Sequence, residues 1–293
     1  MTNTPTSMPS HIVPILAGGG TRLPAHVGVL AALQDMGIGY RHLVGVSGGS
    51  VVASLAAVGH DVPHMKDLFR EVDFRQFRGM SLTNLLLHGG LSNGKRFFKW
   101  LNGELEGRRF RDLEVDLHVV ATDVRAGRPV IFDRQSYPDL EVARAVMFSI
   151  SIPLVFPFHH HGDHILVDGS ILAEDSLFRD WAGDGTPVMS FRMRDDKGTT
   201  NHVARRFLPV ADYMFMLMRT FMTTLSREHL TETLWHNTVV IRTDGLSPLE
   251  FHMTPDQKTE LFEAGYHTTR QFLPRKLEKH MAAPPVPESA PQG

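Results

Sequence analysis

The chain has 293 residues, 42% hydrophobic and 21% charged, with a formal net charge of −2 and no cysteine. That composition suits a globular protein of one large domain, or two at most. It excludes disulfides, thiolate metal sites and a cysteine nucleophile, and it gives no bulk attraction to nucleic acid or to an anionic bilayer.

Residues 1–11 are polar and proline-containing, without the basic-then-apolar pattern of a secretory leader. No apolar run reaches the ~20 residues of a membrane-spanning helix. The expectation is a cytoplasmic protein with a disordered start over 1–11, a domain over 12–281 and a disordered Pro/Ala-rich tail over 282–293.

Residues 12–17 form an apolar run that stops at Gly18-Gly19-Gly20, which predicts a strand and a glycine loop. Pro24 suits the first position of a helix, Val27, Leu30, Ala31 and Leu33 give it a stripe, and Gly37 ends it. Residues 41–46 predict a second strand and 48–58 a second helix. In such a β-α-β-α opening the two strands are parallel. The glycine loop and Ser47 then emerge at the same carboxyl edge, where α/β sheets bind ligands.

At that edge Gly45-Val46-Ser47-Gly48-Gly49 reads Gly-x-Ser-x-Gly. The pattern alone occurs by chance in roughly one chain in ten of this length. The strand before it and the helix after it are what make Ser47 a nucleophile candidate, because a serine on so sharp a turn points its hydroxyl out of the sheet.

Residues 60–112 read as helix and loop, with basic and aromatic residues mixed in Lys95-Arg96-Phe97-Phe98-Lys99-Trp100. A solvated helix face accounts for that segment better than a lipid head-group contact. Residues 115–122 alternate as a strand, with 129–132 as its hairpin partner across Arg125-Ala126-Gly127. A helix is predicted over 140–148, and short strands over 153–158 and 165–167 flank a histidine-rich turn. A strand over 188–193, a long helix over 210–235, a strand over 238–241 and a helix over 256–272 follow. Tyr213-Met214-Phe215-Met216-Leu217-Met218 is apolar on most faces. It reads first as a buried core helix, although adaptable Met also suits flexible acyl chains. Alternating helix and strand make the class α/β.

A serine nucleophile requires a base and a place for the oxyanion. Gly18, Gly19 and Gly20 offer the second, since bare backbone N–H groups approach a charged oxygen closely and the following helix adds its positive end. Arg22 adds charge there or braces the loop. No Gly-Lys-Ser/Thr follows and the glycine spacing is wrong for a dinucleotide, so a nucleotide site is disfavoured. For the base, Asp168-Gly169-Ser170 follows the apolar Ile165-Leu166-Val167. A partly desolvated carboxylate at that strand end gains basicity; an aspartate capping a turn is the plainer alternative.

Together these segments resemble the patatin-like phospholipase family. Its members carry a Gly-Gly-Gly-x-Arg-Gly oxyanion loop, a Gly-x-Ser-x-Gly elbow and an Asp-Gly-Gly or Asp-Gly-Ala base, with no histidine in the mechanism. Here Gly18-Gly19-Gly20-Thr21-Arg22 and His26-Val27-Gly28-Val29-Leu30 match the loop and first helix, Ser47 the elbow and Asp168-Gly169 the base. Ala121-Thr122-Asp123 with Gly127 and Phe132 resembles the middle hairpin, and residues 149–157 the serine- and proline-rich approach to the aspartate. Leu23 stands where the family usually has glycine, and Ser170 where it has Gly or Ala.

The resemblance implies a three-layer α/β/α fold with a mainly parallel central sheet. It implies Ser47 as nucleophile, Asp168 as base, and Gly18, Gly19, Gly20 and Gly48 around the oxyanion with Arg22 in support. It implies no cofactor and no metal. The implied partner is a phospholipid or lysophospholipid met through transient contact with a membrane surface, not a nucleic acid.

Two alternatives stand beside it. His159, His161, Asp163 and His164 spell His-x-His-x-Asp-His, the metal-ligand signature of metallo-β-lactamase-like hydrolases. That fold also needs a later histidine in a Gly-His-Thr-like segment, which this chain lacks, so a solvated hairpin tip or adventitious metal binding is the better reading. The non-enzymatic alternative is a patatin-like lipid-binding scaffold whose oxyanion loop Leu23 has altered.

Overall fold

The computed structural model describes residues 9–77, 94–153, 155–172, 177–194, 220, 235–243 and 245–282. Its elements run β1 (Val13–Ala17), α1 (Leu23–Asp35), β2 (His42–Val46), α2 (Gly48–Ala57), α3 (Val62–Glu71), α4 (Lys95–Glu104), β3 (Asp116–Asp123) and β4 (Arg128–Phe132). They continue α5 (Val142–Ser149), β5 (His159–His161), β6 (His164–Val167), β7 (Val188–Arg194), β8 (Thr238–Arg242) and α6 (Pro255–Ala282). The helix expected over 210–235, with its methionine run, lies outside the described residues apart from Thr220 and Trp235.

The described strands join one sheet in the order β5-β6-β3-β2-β1-β7-β8, with β4 paired to β3. β3, β2, β1, β7 and β8 run parallel. β4 and β6 are antiparallel to β3, and β5 to β6. The class is therefore α/β with a mostly parallel central sheet. Side-chain alternation divides the core. Leu16, Leu43, Val119, Ala121 and Phe191 face the side where α1 to α6 pack. Val13, Ile15, Val44, Val46 and Val120 face the other side, against Leu177 and Trp181. Each fully buried aliphatic or aromatic side chain stabilises the fold by roughly 1.5–3 kcal/mol.

α1 is buried from Leu23 to Leu33, as befits a helix that is apolar on every side. It lies between the sheet and α6, so the glycine loop that feeds it is anchored at both ends.

The register explains how Ser47 and Asp168 meet. β2 pairs with β3 as far as Val46↔Val120 and then turns away at Ser47. β3 runs on, and its Thr122 and Asp123 pair with Val167 and Leu166 of β6. β4 holds the opposite edge of β3, so β6 fills the place that β2 vacates. The residue that follows Val167 there is Asp168.

Two expected elements differ. No strand forms over the described residues of 153–158; Val155 and Phe156 donate to Ile152 O at 3.1 and 3.0 Å in a turn. The histidines are the strand themselves, and Gly162 and Asp163 form its turn, since His161 pairs with His164. The last helix also continues past 272 through Pro274 to Ala282. Leu273 and Leu277, both 0% exposed, extend its apolar stripe and offset the lost proline hydrogen bond.

Candidate active site

Ser47 sits at φ 52°, ψ −132°. That region costs a residue with a side chain about 1–3 kcal/mol, so the surroundings must impose it. They do so with specific bonds. Ser47 N–H donates to Ser149 Oγ at 2.9 Å, and the Ser149 hydroxyl donates to Val120 O at 2.6 Å. Behind the elbow space is already taken: a Cβ on Gly49 would lie 1.9 Å from Leu16 O, and one on Gly48 2.3 Å from Gly20 O.

Ser47 and Asp168, 121 positions apart in the chain, are joined by a hydrogen bond from Ser47 Oγ to Asp168 Oδ2 at 2.6 Å. Asp168 Oδ1 accepts Ser170 N–H at 2.8 Å, and Asp168 N–H donates to Ser151 O at 3.0 Å. The aspartate thus caps a turn with one oxygen and faces the serine with the other. Asp168 is 0% and Ser47 2% exposed. Burial pushes the Asp168 carboxyl up to about 6, against the opposing pull of its bonds from Ser47 and Ser170. A carboxylate so placed is ionised at neutral pH yet a better proton acceptor than one in water.

The glycine loop turns through positive φ at Gly18, Gly19 and Gly20 (67°, 104° and 57°), a path open to residues without a Cβ. Gly18 departs from its expected role. Its N–H is spent on Val46 O at 3.0 Å and closes the loop onto β2. The N–H groups of Gly19, Gly20 and Gly48 make no hydrogen bond among the described residues. Arg22 is buried and braces the loop: its Nε donates to Gly19 O at 3.0 Å and its Nη1 to Thr243 Oγ1 at 2.7 Å. Thr21 adds bonds from N to Pro248 O at 2.9 Å and from Oγ1 to Glu250 O at 2.7 Å. The loop is in this way sewn to the 243–251 segment.

Ser47, Gly48 and Gly20 open onto a cavity of about 500 Å³, counted with its mouth. Its wall is apolar and includes Leu23, Phe74, Phe97, Ile152, Phe156 and Phe251. Leu23 is the first residue of α1, in ordinary helical backbone, and its side chain forms part of this wall. Phe97 joins the same wall from α4, whose Lys95, Arg96 and Lys99 are exposed.

The histidine cluster does not assemble. In β5, His159 and His161 lie on one face and His160 on the other. His159 packs on Phe148, and His161 on Phe148, Phe132 and Tyr137. His164 Nδ1 lies 2.8 Å from Asp123 Oδ2, and this bond is the main reason the Asp123 carboxyl falls to about 2. Among the described residues, the group within metal-ligand reach of one another is instead His60, His64 and Glu104. The His60 and His64 rings are stacked 12° from parallel, so their in-plane lone pairs do not converge on one point.

Ser149, Ser151 and His26 were not singled out by sequence as parts of the site. Sequence places Ser149 and Ser151 only within the segment that resembles the family's approach to the aspartate, and His26 only within the loop–helix match, and neither match assigns them a bond.

A mostly parallel α/β sheet with a strained serine elbow, a carboxylate on its hydroxyl and an apolar cavity alongside defines the lipase-type hydrolases in class. The chain belongs to the patatin-like phospholipase family, whose model matches residues 15–177. It is 25% identical over 285 residues to the uncharacterized protein YqhO of Bacillus subtilis, covering 88% of this chain and 97% of that one. It is 30% identical over 158 residues to the NTE family protein Rv2565 of Mycobacterium tuberculosis, covering 54% of this chain and 26% of that one. In fold it is similar to VipD of Legionella pneumophila, with TM-score 0.67 and 16% identity over 95% of this chain and 70% of that one. It is also similar to ExoU of Pseudomonas aeruginosa in complex with SpcU, with TM-score 0.55 and 19% identity over 93% and 53%.

Proposed function

We propose that this protein hydrolyses the carboxylic esters of phospholipids or lysophospholipids with Ser47 as nucleophile and Asp168 as base. The observation that carries the reading is the 2.6 Å bond from Ser47 Oγ to a buried Asp168, made at the mouth of an apolar cavity. The acyl chain occupies that cavity and brings its carbonyl carbon to Ser47. As Oγ attacks, its proton passes to Asp168 Oδ2. The carbonyl oxygen becomes an oxyanion held by the N–H groups of Gly19, Gly20 and Gly48. The intermediate collapses, the leaving alkoxide takes the proton from Asp168, and an acyl-serine remains. Water then attacks the acyl carbon, gives its proton to Asp168, and Ser47 recovers that proton as the fatty acid leaves.

No histidine stands between Ser47 and Asp168, and contact with the membrane surface is needed only to transfer the lipid. The test is fatty-acid release from phosphatidylcholine and lysophosphatidylcholine by wild type and Ser47→Ala. Release that Ser47→Ala abolishes supports the reading. Release that Ser47→Ala leaves intact overturns it.

A further inference from the structure

His26 is a buried titratable group that the proposed reaction does not use. It is 0% exposed, and burial lowers it to about 4. It is therefore a neutral imidazole with one N–H. Nε2 lies 3.1 Å from Gly18 O. A carbonyl oxygen accepts only, so the hydrogen is on Nε2. Nδ1 is then a bare lone pair, buried and without a partner among the described residues. The fold tolerates that orphan acceptor in order to place one donor on one carbonyl.

That carbonyl belongs to the peptide unit that also carries Gly19 N–H. A trans peptide is planar, and its C=O and N–H point in opposite directions. Whatever fixes Gly18 O therefore aims Gly19 N–H. Gly18 O receives two donors, Gly49 N at 3.0 Å and His26 Nε2 at 3.1 Å. The peptide between two glycines, at φ 67° and 104°, has no side chain to resist a flip. The next unit follows the same plan. Gly19 O is held by Arg22 N and Arg22 Nε, both at 3.0 Å, and this aims Gly20 N–H.

We infer that His26 is a positioning residue for ester hydrolysis, which aims the Gly19 N–H at the oxyanion by holding the other end of its peptide. It acts from behind the loop and exchanges no proton with Ser47 or Asp168. The inference rests on the reaction proposed above, and its test separates the two.

The test compares His26→Gln and His26→Asn with wild type and Ser47→Ala. A glutamine amide nitrogen falls near the position of imidazole Nε2, and an asparagine amide stops short of it. Hydrolysis of 4-nitrophenyl butyrate is measured to steady state, together with inhibition by a trifluoromethyl ketone, which forms a tetrahedral adduct on a nucleophilic serine. His26→Asn is expected to lose about 10- to 100-fold in kcat, with KM changed less than about threefold. Its affinity for the ketone falls by a similar factor. His26→Gln stays within about fivefold of wild type in both readouts. Should His26→Asn fail to fold, His26→Met, which fills the space without a donor, takes its place. A donor-less variant with wild-type kcat, a folded Gln variant as slow as the Asn one, or a loss confined to KM would each overturn the role of His26. Unchanged turnover by Ser47→Ala would instead remove the reaction on which it rests.

Discussion

His164 and Asp168 stand at the two ends of one short strand, and the fold puts them to opposite uses. The histidine hairpin looks richer in chemistry by composition, with His159, His161, Asp163 and His164 in six positions. Separate partners disperse that wealth: His159 packs on Phe148, His161 on Phe148, Phe132 and Tyr137, and His164 is bonded to Asp123. Asp168 has no chemical neighbour in sequence beyond Ser170. The exchange of β2 for β6 along the edge of β3 brings it within 2.6 Å of Ser47. Clustering in sequence is thus a poor guide to convergence in a sheet, and the ends of strands that replace one another on a common edge are a good one.

The comparison is broken most severely by removing the Ser47–Asp168 pair. Ser47→Ala and Asp168→Ala are each expected to reduce ester hydrolysis by about a thousandfold or more. The double variant is barely worse, because removing either member disables the other. Steady-state rates with folding checked by circular dichroism measure this. Additive losses in the double variant would mean that the two groups act separately.

Asp168→Asn sharpens the contrast by separating stability from activity. The folded-state carboxyl is raised from 3.8 to about 6, so the folded protein holds this proton more tightly than the unfolded chain. Below pH 4 both states are protonated and nothing is lost. Between about pH 4 and pH 6 the unfolded carboxyl ionises while the folded one keeps its proton, so stability falls by about 3 kcal/mol across that window and stays lower above it. Asp168→Asn is therefore expected to be inactive yet more stable than wild type at pH 7, with the gap closing by pH 4. Chemical denaturation at the two pH values measures it; a variant less stable than wild type at pH 7 runs against the burial argument. Wild-type kcat/KM should rise through about pH 6 as Asp168 ionises, and Ser47→Ala should show no such limb.

Leu23 tests the cavity half of the account. Its side chain is part of the wall beside Ser47, so Leu23→Ala enlarges the cavity near the reacting carbon. The expected result is an active enzyme whose ratio of kcat/KM between long and short acyl esters shifts about tenfold. The fold should lose about 2 kcal/mol, at the low end for leucine truncation because the site already borders open space. An unchanged chain-length profile would place the acyl chain elsewhere.

The smallest effect is expected in the hairpin. Replacing His159 and His161 with Ala should leave hydrolysis within a few-fold of wild type and cost stability, through lost ring packing, of about 1 kcal/mol. Complete loss of turnover in the folded variant, together with stoichiometric zinc or iron in the wild type, would reverse the comparison.

Much of this architecture is legible in the chain. The opening strand–loop–helix–elbow is spelled by glycines and apolar runs whose meaning is local, and the β3–β4 hairpin by alternation across Gly127. What was not legible depends on tertiary placement. Residues 153–158 read as a strand because Val and Phe are strand formers, yet Val155 and Phe156 bond back to Ile152 O. Leu23 stands out in sequence only as a departure from glycine, because the cavity wall it joins is invisible there. Gly18, grouped with its neighbours by composition, gives its N–H to Val46 O because it is the residue still level with β2. The bonds from Ser149 and His26 to the elbow and the loop lie across elements, and no spacing rule encodes them.

The central claim is that Ser47 is activated by Asp168. A fluorophosphonate probe reacts only with an activated serine, so its attachment, followed by intact mass and peptide mapping, tests that claim most directly. The account predicts one adduct per chain on Ser47 in wild type, and none in Asp168→Asn under the same conditions although that variant remains folded. Equal labelling of Ser47 in folded Asp168→Asn, or labelling of wild type at another residue, would contradict it.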